Sequence, residues 1–186
     1  ETRIKSLRNE IRELRNQEMA PLTQDYALES EHGQVKLSSL FGDQQELMVI
    51  HNMGISCPYC TAFADGINGI LHYLKSRCEV VLVSDDPVEV QQQIVTARSW
   101  KFKVLSTHGL GDSFTREMGI CGRNADPGFS VFHRDDAGMV ERVSYSEFED
   151  GDEFCAVFPF LEHLKGGIGD WCPSENLLDA GDKADS

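Results

Sequence analysis

The segment that decides the fold is Ile55-Ser56-Cys57-Pro58-Tyr59-Cys60, in which two cysteines are separated by two residues. An apolar run at 47–50 precedes it, and a segment with apolar residues at helical spacing, 61–74, follows it. A single Cys-x-x-Cys between a strand and a helix is typical of a redox dithiol. The pattern therefore predicts that these two cysteines exchange electrons.

The place of Cys57 just before a helix predicts that its sulfur ionises easily. Backbone N–H groups in the first helical turn have no intrahelical partner, and together with the helix dipole they stabilise a thiolate. Pro58 suits this turn because the N–H that it lacks would have no partner there. Cys57 is thus the expected attacking sulfur, and Cys60, one turn further on, is within its reach.

A structural zinc site is the alternative interpretation of the same two cysteines. Such a site needs two more ligands, usually from a second Cys-x-x-Cys or from a closely spaced histidine pair. The histidines form no such pair, and the other four cysteines stand apart from one another, at Cys78, Cys121, Cys155 and Cys172. We therefore favour the dithiol, predict neither a metal nor a cofactor, and expect the other four cysteines to be mostly buried small apolar residues.

The composition is that of a globular chain with a strong acidic excess. Among 186 residues, 17 are basic and 31 are acidic, which gives a formal charge of −14. This charge argues against a nucleic acid or an anionic membrane as a partner. No apolar run approaches membrane-spanning length, and no signal-peptide pattern is visible at Glu1, so we expect a cytoplasmic protein.

The first 19 residues carry an amphipathic pattern, with Ile4, Leu7, Ile11 and Leu14 at steps of three and four. The spacing predicts a helix that ends before Pro21. Two interpretations of its apolar stripe stay open: packing on the body of the same chain, or pairing with a partner helix in a homodimer through residues 1–19. We divide the chain into this helix with a polar connector (1–30), a main domain (31–168) and an acidic tail (169–186).

The main domain alternates strands with helices. Strands are expected at 35–37, 47–53, 80–83, 101–105, 127–133 and 139–144, with helices after the dithiol, at 86–98, at 113–118 and within 154–164. Asp86 and Glu89 have the spacing of a capping box around the start of the second of these helices. Alternating strands and helices imply a mainly parallel sheet covered on both faces, and the last hairpin adds antiparallel pairing at one side.

This order of elements resembles the thioredoxin-like superfamily over roughly residues 35–164. More narrowly, the chain resembles a bacterial thioredoxin-like family of unassigned function, related in layout to the alkyl hydroperoxide reductase group. The resemblance rests on residues 35–41, 57–60, 64–66, 83–84, 100–102 and 127–132, with Gly69 and Pro87. It implies an α/β fold, in which helices flank a central mixed sheet and an N-terminal helical extension is added.

The resemblance also implies roles for two residues outside the dithiol. Pro127 matches the position where thioredoxin-like proteins keep a cis-proline beside the dithiol; a trans-proline at a strand start is the alternative. His51 lies six residues before Cys57, where thioredoxins place a buried acid that manages the proton of the second cysteine. A core histidine with a structural hydrogen bond is the other interpretation of His51.

The chain also departs from related patterns. Gly54 stands where peroxiredoxins keep a Thr or Ser hydroxyl near the peroxidatic cysteine, and Ser56 replaces the tryptophan usual before the first cysteine of thioredoxins. We therefore predict a thiol–disulfide oxidoreductase that acts on a protein or small-molecule disulfide and is recycled by an external thiol reductant. A thiol-dependent peroxide reductase and a non-catalytic binding module stay open as alternatives.

Overall fold

The computed structural model describes residues 2–15, 20–118, 127–149, 152 and 154–173. Its five α-helices within those ranges are α1 (Thr2–Arg15), α2 (Pro58–Leu74), α3 (Val88–Arg98), α4 (Asp112–Glu117) and α5 (Val157–Glu162). The strands are β1 (Ala20–Pro21), β2 (Ala27–Ser30), β3 (Gly33–Lys36), β4 (Glu46–His51), β5 (Glu79–Ser84), β6 (Lys103–Ser106), β7 (Gly128–Arg134) and β8 (Val140–Glu147). The strands form one sheet in the order β1-β8-β7-β4-β5-β6-β2-β3.

The sheet is mixed, as expected for the fold class. The centre consists of the parallel strands β4, β5 and β6, which α2 and α3 connect. On one side β7 runs antiparallel to both β4 and β8, and on the other β2 runs antiparallel to β6 and β3. The expectation of a mainly parallel sheet was wrong, because only β4, β5 and β6 pair in parallel, and β7, which follows α4, enters the sheet antiparallel to β4.

The connector before residue 31 is part of the sheet. Ala27 is in register with Lys36, and Glu29 is in register with Ser106, so β2 lies between β3 and β6. Tyr26 and Leu28 are buried at alternate positions, as in a strand with one face inward. The prediction of a polar connector was wrong here, because two inward side chains are too short a pattern to identify a strand from the sequence.

Two apolar clusters cover the two faces of the sheet. Successive residues of β5 point to opposite sides, so Leu82 packs in the cluster that contains Phe63 of α2, whereas Val83 packs in the cluster that contains Phe114 of α4. We call these sides the α2 face and the α4 face. The dithiol lies at the N-terminus of α2, with Cys57 as N-cap and Cys60 in the first turn, so it belongs to the α2 face at the end of β4.

Helix α1 has the predicted position but leaves its apolar stripe in solvent. The exposed fractions are 55% for Ile4, 46% for Leu7, 45% for Ile11 and 62% for Leu14. Helix α1 lies next to β8 of the same chain, but among the described residues the body does not bury this stripe. None of the described helices is both long enough and apolar enough to span a membrane. The predicted tail lies outside the described residues from 174 onward.

Helix α3 begins without the capping box that the sequence suggested. Its N-cap is Pro87, and no side chain caps the first turn. The carboxylate of Asp86 instead accepts a hydrogen bond from the backbone N–H of Ile55, 2.7 Å away. Asp86 thus binds the backbone N–H of Ile55, distant in the chain, and not an N–H in the first turn of α3. This hydrogen bond connects the start of α3 to the loop before the dithiol.

Candidate active site

Cys57 lies at the N-terminus of α2. It is the N-cap residue, with φ −100° and ψ 103°, and its Sγ accepts a hydrogen bond from the backbone N–H of Cys60 at 3.1 Å. Pro58 opens the helix, as predicted. One of the first-turn N–H groups is therefore directed at the sulfur, which is the contact that stabilises a thiolate.

The two sulfurs lie in different environments although their chemistry is the same. Both residues are thiols in this structure; Cys57 is 8% exposed and Cys60 is 2% exposed. A hydrogen bond to the side chain of Cys57, followed by burial, raises the pKa of the Cys60 thiol above its ordinary value. Cys60 therefore keeps its proton at neutral pH and shares it with Cys57.

The loop between β4 and α2 is held by short hydrogen bonds. The side-chain oxygen of Asn52 accepts from the N–H of Gly54 at 2.7 Å, and the Gly54 carbonyl accepts from the N–H of Cys57 at 3.1 Å. Thr61, fully buried, donates its hydroxyl to the Cys57 carbonyl at 3.1 Å. Gly54 has φ +101°, a conformation that a residue with a Cβ rarely adopts. The position of Cys57 is thus fixed from both sides.

His51, at the end of β4, is buried on the α4 face. Its Nε2 is 2.9 Å from the hydroxyl of Ser130 on β7, and its ring centroid is 6.0 Å from that of Phe114. Burial, followed by the positive charge of Arg142, lowers the pKa of His51 to about 3. The imidazole is therefore neutral at pH 7 and lies across the sheet from α2. Its role toward the Cys60 proton stays a prediction.

Pro127 comes directly before β7, next to the end of β4. Gly128 is in register with His51, and the Pro127 carbonyl accepts from the N–H of Phe148 at 2.6 Å. A Cβ at Gly128 would lie 2.3 Å from the backbone oxygen of Ser146, so this approach requires glycine. The peptide bond of Pro127 includes Asp126, which lies outside the described residues, so the cis isomer stays a prediction.

The side chains around the dithiol are largely apolar and aromatic. Tyr59, between the two cysteines, stacks on Phe158 with 6.4 Å between ring centroids, and both Tyr59 and Ile55 are half-buried. Met53, at the start of the loop, is 43% exposed. The rim formed by residues 53–59 therefore carries no charged side chain of its own, and the carboxylate of Asp86 lies against its backbone at Ile55.

The other four cysteines differ in burial. Cys155 is buried as expected and Cys78 is half-buried, whereas Cys172 is exposed; Cys121 lies outside the described residues. In the part of the chain that the structure describes, no three His, Cys, Asp or Glu residues form a group that could hold a metal ion. Sequence reasoning missed the contact of Asp86 with the loop and the Ser130 partner of His51, since both join residues distant in the chain.

A mixed sheet with a cysteine pair at the start of the helix that follows a central parallel strand defines a thioredoxin-like fold, and solved structures share this fold. A cysteine-to-serine mutant of peroxiredoxin Q from Xanthomonas campestris has a TM-score of 0.58 at 14% identity, with 74% of this chain and 89% of that chain covered. Peroxidoxin BcpB from Mycobacterium tuberculosis has a TM-score of 0.54 at 19% identity, over 69% and 83% of the two chains. A reduced peroxiredoxin from Vibrio vulnificus, in complex with hydrogen peroxide, has a TM-score of 0.55 at 17% identity, over 70% and 86%.

The chain belongs to the DUF899 family, described as bacterial proteins of unknown function, whose model matches residues 1–167. No curated protein matches the chain in sequence. The family match covers α1 as well as the thioredoxin-like body, and the likeness to peroxiredoxins concerns the fold.

Proposed function

We propose that this protein is a thiol–disulfide oxidoreductase in which Cys57 attacks and Cys60 resolves. The observation that supports this most is the asymmetry of the pair: Cys57 Sγ accepts from the N–H of Cys60, while the Cys60 thiol, with its raised pKa, is hydrogen-bonded to Cys57. The first sulfur is stabilised as an anion and the second keeps its proton. Such a pair has a defined order of attack.

The reaction begins when the Cys57 thiolate attacks one sulfur of a substrate disulfide. A bond forms between Cys57 Sγ and that sulfur, and the other substrate sulfur leaves as a thiolate, which takes up the proton of Cys60. Cys60 Sγ then attacks Cys57 Sγ and releases the second substrate sulfur as a thiolate. The substrate has gained two electrons, and the protein holds a Cys57–Cys60 disulfide that an external dithiol must reduce.

The surroundings of the dithiol favour an uncharged disulfide as substrate. Tyr59 and Ile55 give the rim an apolar character, and the chain as a whole has a formal charge of −14, which repels anions. We therefore propose a disulfide within an apolar polypeptide segment, or an apolar small molecule, as substrate. A reducing compartment such as the cytoplasm suits a dithiol that has to be returned to its reduced form.

The test is reduction of insulin disulfides by the wild type, Cys57→Ser and Cys60→Ser, with dithiothreitol as electron donor. We expect the wild type to accelerate reduction, and Cys57→Ser to be inactive because the attacking sulfur is absent. Cys60→Ser should accumulate a mixed disulfide between Cys57 and the substrate, visible by mass spectrometry. Cys172→Ser, which removes an exposed thiol elsewhere, is the matched control and should keep wild-type activity.

Equal rates for the wild type and Cys57→Ser would contradict an oxidoreductase. If Cys57→Ser also kept every biological effect of the wild type, the fold would serve as a non-catalytic binding module. A mixed disulfide on Cys60 rather than Cys57 would reverse the assigned order of attack.

Reduction of peroxides is the second candidate function. It is supported by the likeness to peroxiredoxins, one of them in complex with hydrogen peroxide, and by the limited access to Cys57, which is 8% exposed. In that reaction the Cys57 thiolate takes one peroxide oxygen to become a sulfenic acid, and the other oxygen leaves with a proton as water or alcohol. Attack by Cys60 then expels water and gives the same disulfide.

Steady-state consumption of hydrogen peroxide with dithiothreitol separates the two functions. Because Gly54 offers no hydroxyl to orient a peroxide, we expect peroxide consumption to be slow compared with insulin reduction. The reverse ranking, abolished by Cys57→Ser, would assign the protein to the peroxide reductases.

We propose further that α1 mediates a homodimer. Its stripe of Ile4, Leu7, Ile11 and Leu14 is exposed, and Thr2–Arg15 holds five basic and two acidic residues in a chain of charge −14. The acidic body of a second copy therefore complements this helix in charge. Sedimentation equilibrium should give a dimer for the wild type and a monomer for Leu7→Ser/Ile11→Ser, while Glu10→Ser on the polar side stays dimeric. A monomeric wild type at 50 micromolar would contradict the proposal.

A further inference from the structure

The carboxylate of Asp86 lies against the loop that carries the dithiol. Asp86 follows β5, and its Oδ2 accepts the backbone N–H of Ile55 at 2.7 Å. Ile55 is two residues before Cys57, and Gly54, immediately before it, accepts from the N–H of Cys57. The hydrogen bond of Asp86 therefore acts on the part of the loop that determines where Cys57 begins α2.

The contact between this carboxylate and the loop leaves no spare room. A Cβ at Gly54 would lie 2.6 Å from Oδ2 and 2.9 Å from Oδ1 of Asp86, both closer than van der Waals contact allows. Gly54 also has φ +101°. The absence of a side chain at Gly54 thus allows the loop backbone to contact the Asp86 carboxylate directly.

Buried polar side chains hold Asp86 in place from the other side. Gln91 of α3 is 2% exposed, and its Nε2 donates to the carbonyl of Asp86 at 3.1 Å and to the hydroxyl of Ser84 at 2.8 Å. The hydroxyl of Ser106, at the end of β6, donates to the same Asp86 carbonyl at 2.7 Å. The ends of β5 and β6 and the first turns of α3 therefore all fix the backbone that presents the carboxylate.

We propose that Asp86 is a positioning residue for the dithiol, acting through Ile55 and Gly54 to keep Cys57 Sγ over the first turn of α2. This inference rests on the proposed function, because it concerns the reactivity of Cys57. Asp86 takes no part in bond making. Without its carboxylate the loop has lost one of its fixed points, Cys57 departs from the N–H groups that stabilise its thiolate, and its nucleophilicity at neutral pH falls.

The experiment measures the rate of iodoacetamide alkylation of Cys57 against pH in reduced, folded protein, followed by mass spectrometry of the peptide. Asp86→Ala should raise the pH of half-maximal alkylation and slow alkylation at pH 7 by about tenfold, which is the effect of one pH unit on the thiolate fraction. Asp86→Asn keeps an oxygen that accepts from Ile55 and should stay within about twofold of the wild type. Asp85→Ala is the matched control, since that neighbouring side chain is 85% exposed.

The results distinguish this inference from the proposed function. If wild-type Cys57 itself is half-alkylated at the ordinary thiol value, near pH 8.5, the activated thiolate and with it the proposed function fail. If the wild type is activated and Asp86→Ala has the same alkylation profile, Asp86 has no positioning role and the oxidoreductase stands. An equal upward shift in Asp85→Ala would show that the effect is not specific to the Asp86 carboxylate and would overturn the inference, since loss of a negative charge alone lowers a thiol pKa.

A second variant covers the case in which Asp86→Ala does not fold. Ser106→Ala removes the hydroxyl that holds the Asp86 carbonyl but leaves the carboxylate, and alanine is compatible with this buried strand end. We expect a shift in the same direction, smaller than tenfold at pH 7, with a circular dichroism spectrum like that of the wild type. An unchanged profile in folded Ser106→Ala together with an unfolded Asp86→Ala would show that Asp86 serves stability alone.

Discussion

Cys57 and Cys60 have the same side chain, and their surroundings alone make them different. Cys57 is the N-cap of α2 and accepts a backbone N–H, whereas Cys60 is 2% exposed and has a raised pKa. His51 is altered by its surroundings in the same way. Burial lowers the pKa of His51 to about 3, whereas a histidine ordinarily titrates near neutral pH.

The buried state of His51 predicts a dependence of stability on pH. The unfolded chain takes up a proton on this residue near pH 6.5, whereas the folded protein does so only at about pH 3. The unfolded state therefore binds more protons between these values, and the free energy of unfolding falls as the pH decreases from about 6.5 to about 3. In His51→Gln, which does not titrate, we expect a shallower fall, measured by urea unfolding at pH 7, 6, 5 and 4.

The control for this prediction is His32→Gln, because His32 has an exposed side chain in the β2–β3 turn. Parallel curves of unfolding free energy against pH for the wild type and His51→Gln would contradict burial of a neutral imidazole. A pH profile of insulin reduction that shifts in His51→Gln would support the predicted role of His51 in proton transfer; an unshifted profile would favour the core histidine.

At the scale of elements, acidic side chains join helices to segments distant in the chain. Asp86, expected as a cap of α3, instead binds the loop before α2. Asp65 of α2 accepts from Trp100 Nε1 at 2.7 Å and pairs with Arg98, at the end of α3, at 2.8 Å. Both carboxylates therefore connect the α2 region to the α3 region on the α2 face.

Removal of the Asp65 carboxylate is expected to loosen this connection between helices. Asp65→Ala leaves the Trp100 N–H and the largely buried Arg98 guanidinium without this acceptor, and Arg98 Nε already has no hydrogen-bond partner among the described residues. We expect the free energy of unfolding to fall by about 2–3 kcal/mol. Asp65→Asn keeps an acceptor for Trp100 and should lose less. Unfolding in guanidinium chloride measures the free energy of unfolding of both variants, and exposed Glu89→Ala is the control. A loss below about 0.5 kcal/mol for Asp65→Ala would contradict the prediction.

At the scale of the whole molecule, polar contacts hold the N-terminal segment to the sheet on the α4 face. Glu117 of α4 accepts from the N–H and hydroxyl of Thr23 and from the hydroxyl of Tyr26, each at 2.5 Å. Arg142 of β8 donates to the carbonyl of Met118, directly after α4. Helix α4 thus joins the segment before β2 to strand β8. Strand β1 pairs with β8 along the same edge of the sheet.

The state of Glu117 predicts how acid affects this connection. Burial raises its pKa, but the hydrogen bonds from Thr23 and Tyr26 and the charge of Arg142 outweigh burial, so its pKa lies below the ordinary value. The stabilisation is therefore present above about pH 4.5 and is lost as the pH falls through the lower, folded-state pKa. Glu117→Gln should melt a few degrees below the wild type at pH 7, with a gap that narrows below about pH 4.

The measurement for Glu117 is thermal unfolding followed by circular dichroism at pH 7, 5, 4 and 3. Exposed Glu31→Gln, in the β2–β3 turn, is the matched carboxylate control. A gap between wild type and Glu117→Gln that stays constant down to pH 3 would mean that the ionised carboxylate contributes nothing to stability.

The positions of Cys57, Pro58 and Cys60 at the start of α2 could be predicted from the sequence because they depend on spacing over a single helical turn. The same holds for α1, whose apolar spacing is visible within the segment, and for β4 and β5, which contain continuous apolar runs. Strand β2 could not be predicted, since Leu28 is its only buried residue and the preceding Tyr26 adds just one more inward position. The antiparallel pairing of the last hairpin was expected from the residues, whereas the central mixed sheet followed from the resemblance to thioredoxin-like proteins.

The sequence by itself therefore determined the dithiol, the helix that it caps and the strands on which the sheet is centred, because local backbone geometry decides these. Only the tertiary structure decided the partners of the side chains around them. Asp86 meets a donor 31 residues away and His51 meets Ser130 at a separation of 79 residues, so neither contact leaves a local pattern. Folding also decided that His51 packs beside Phe114 of α4 and that the stripe on α1 stays exposed, since both depend on how elements distant in the chain pack together.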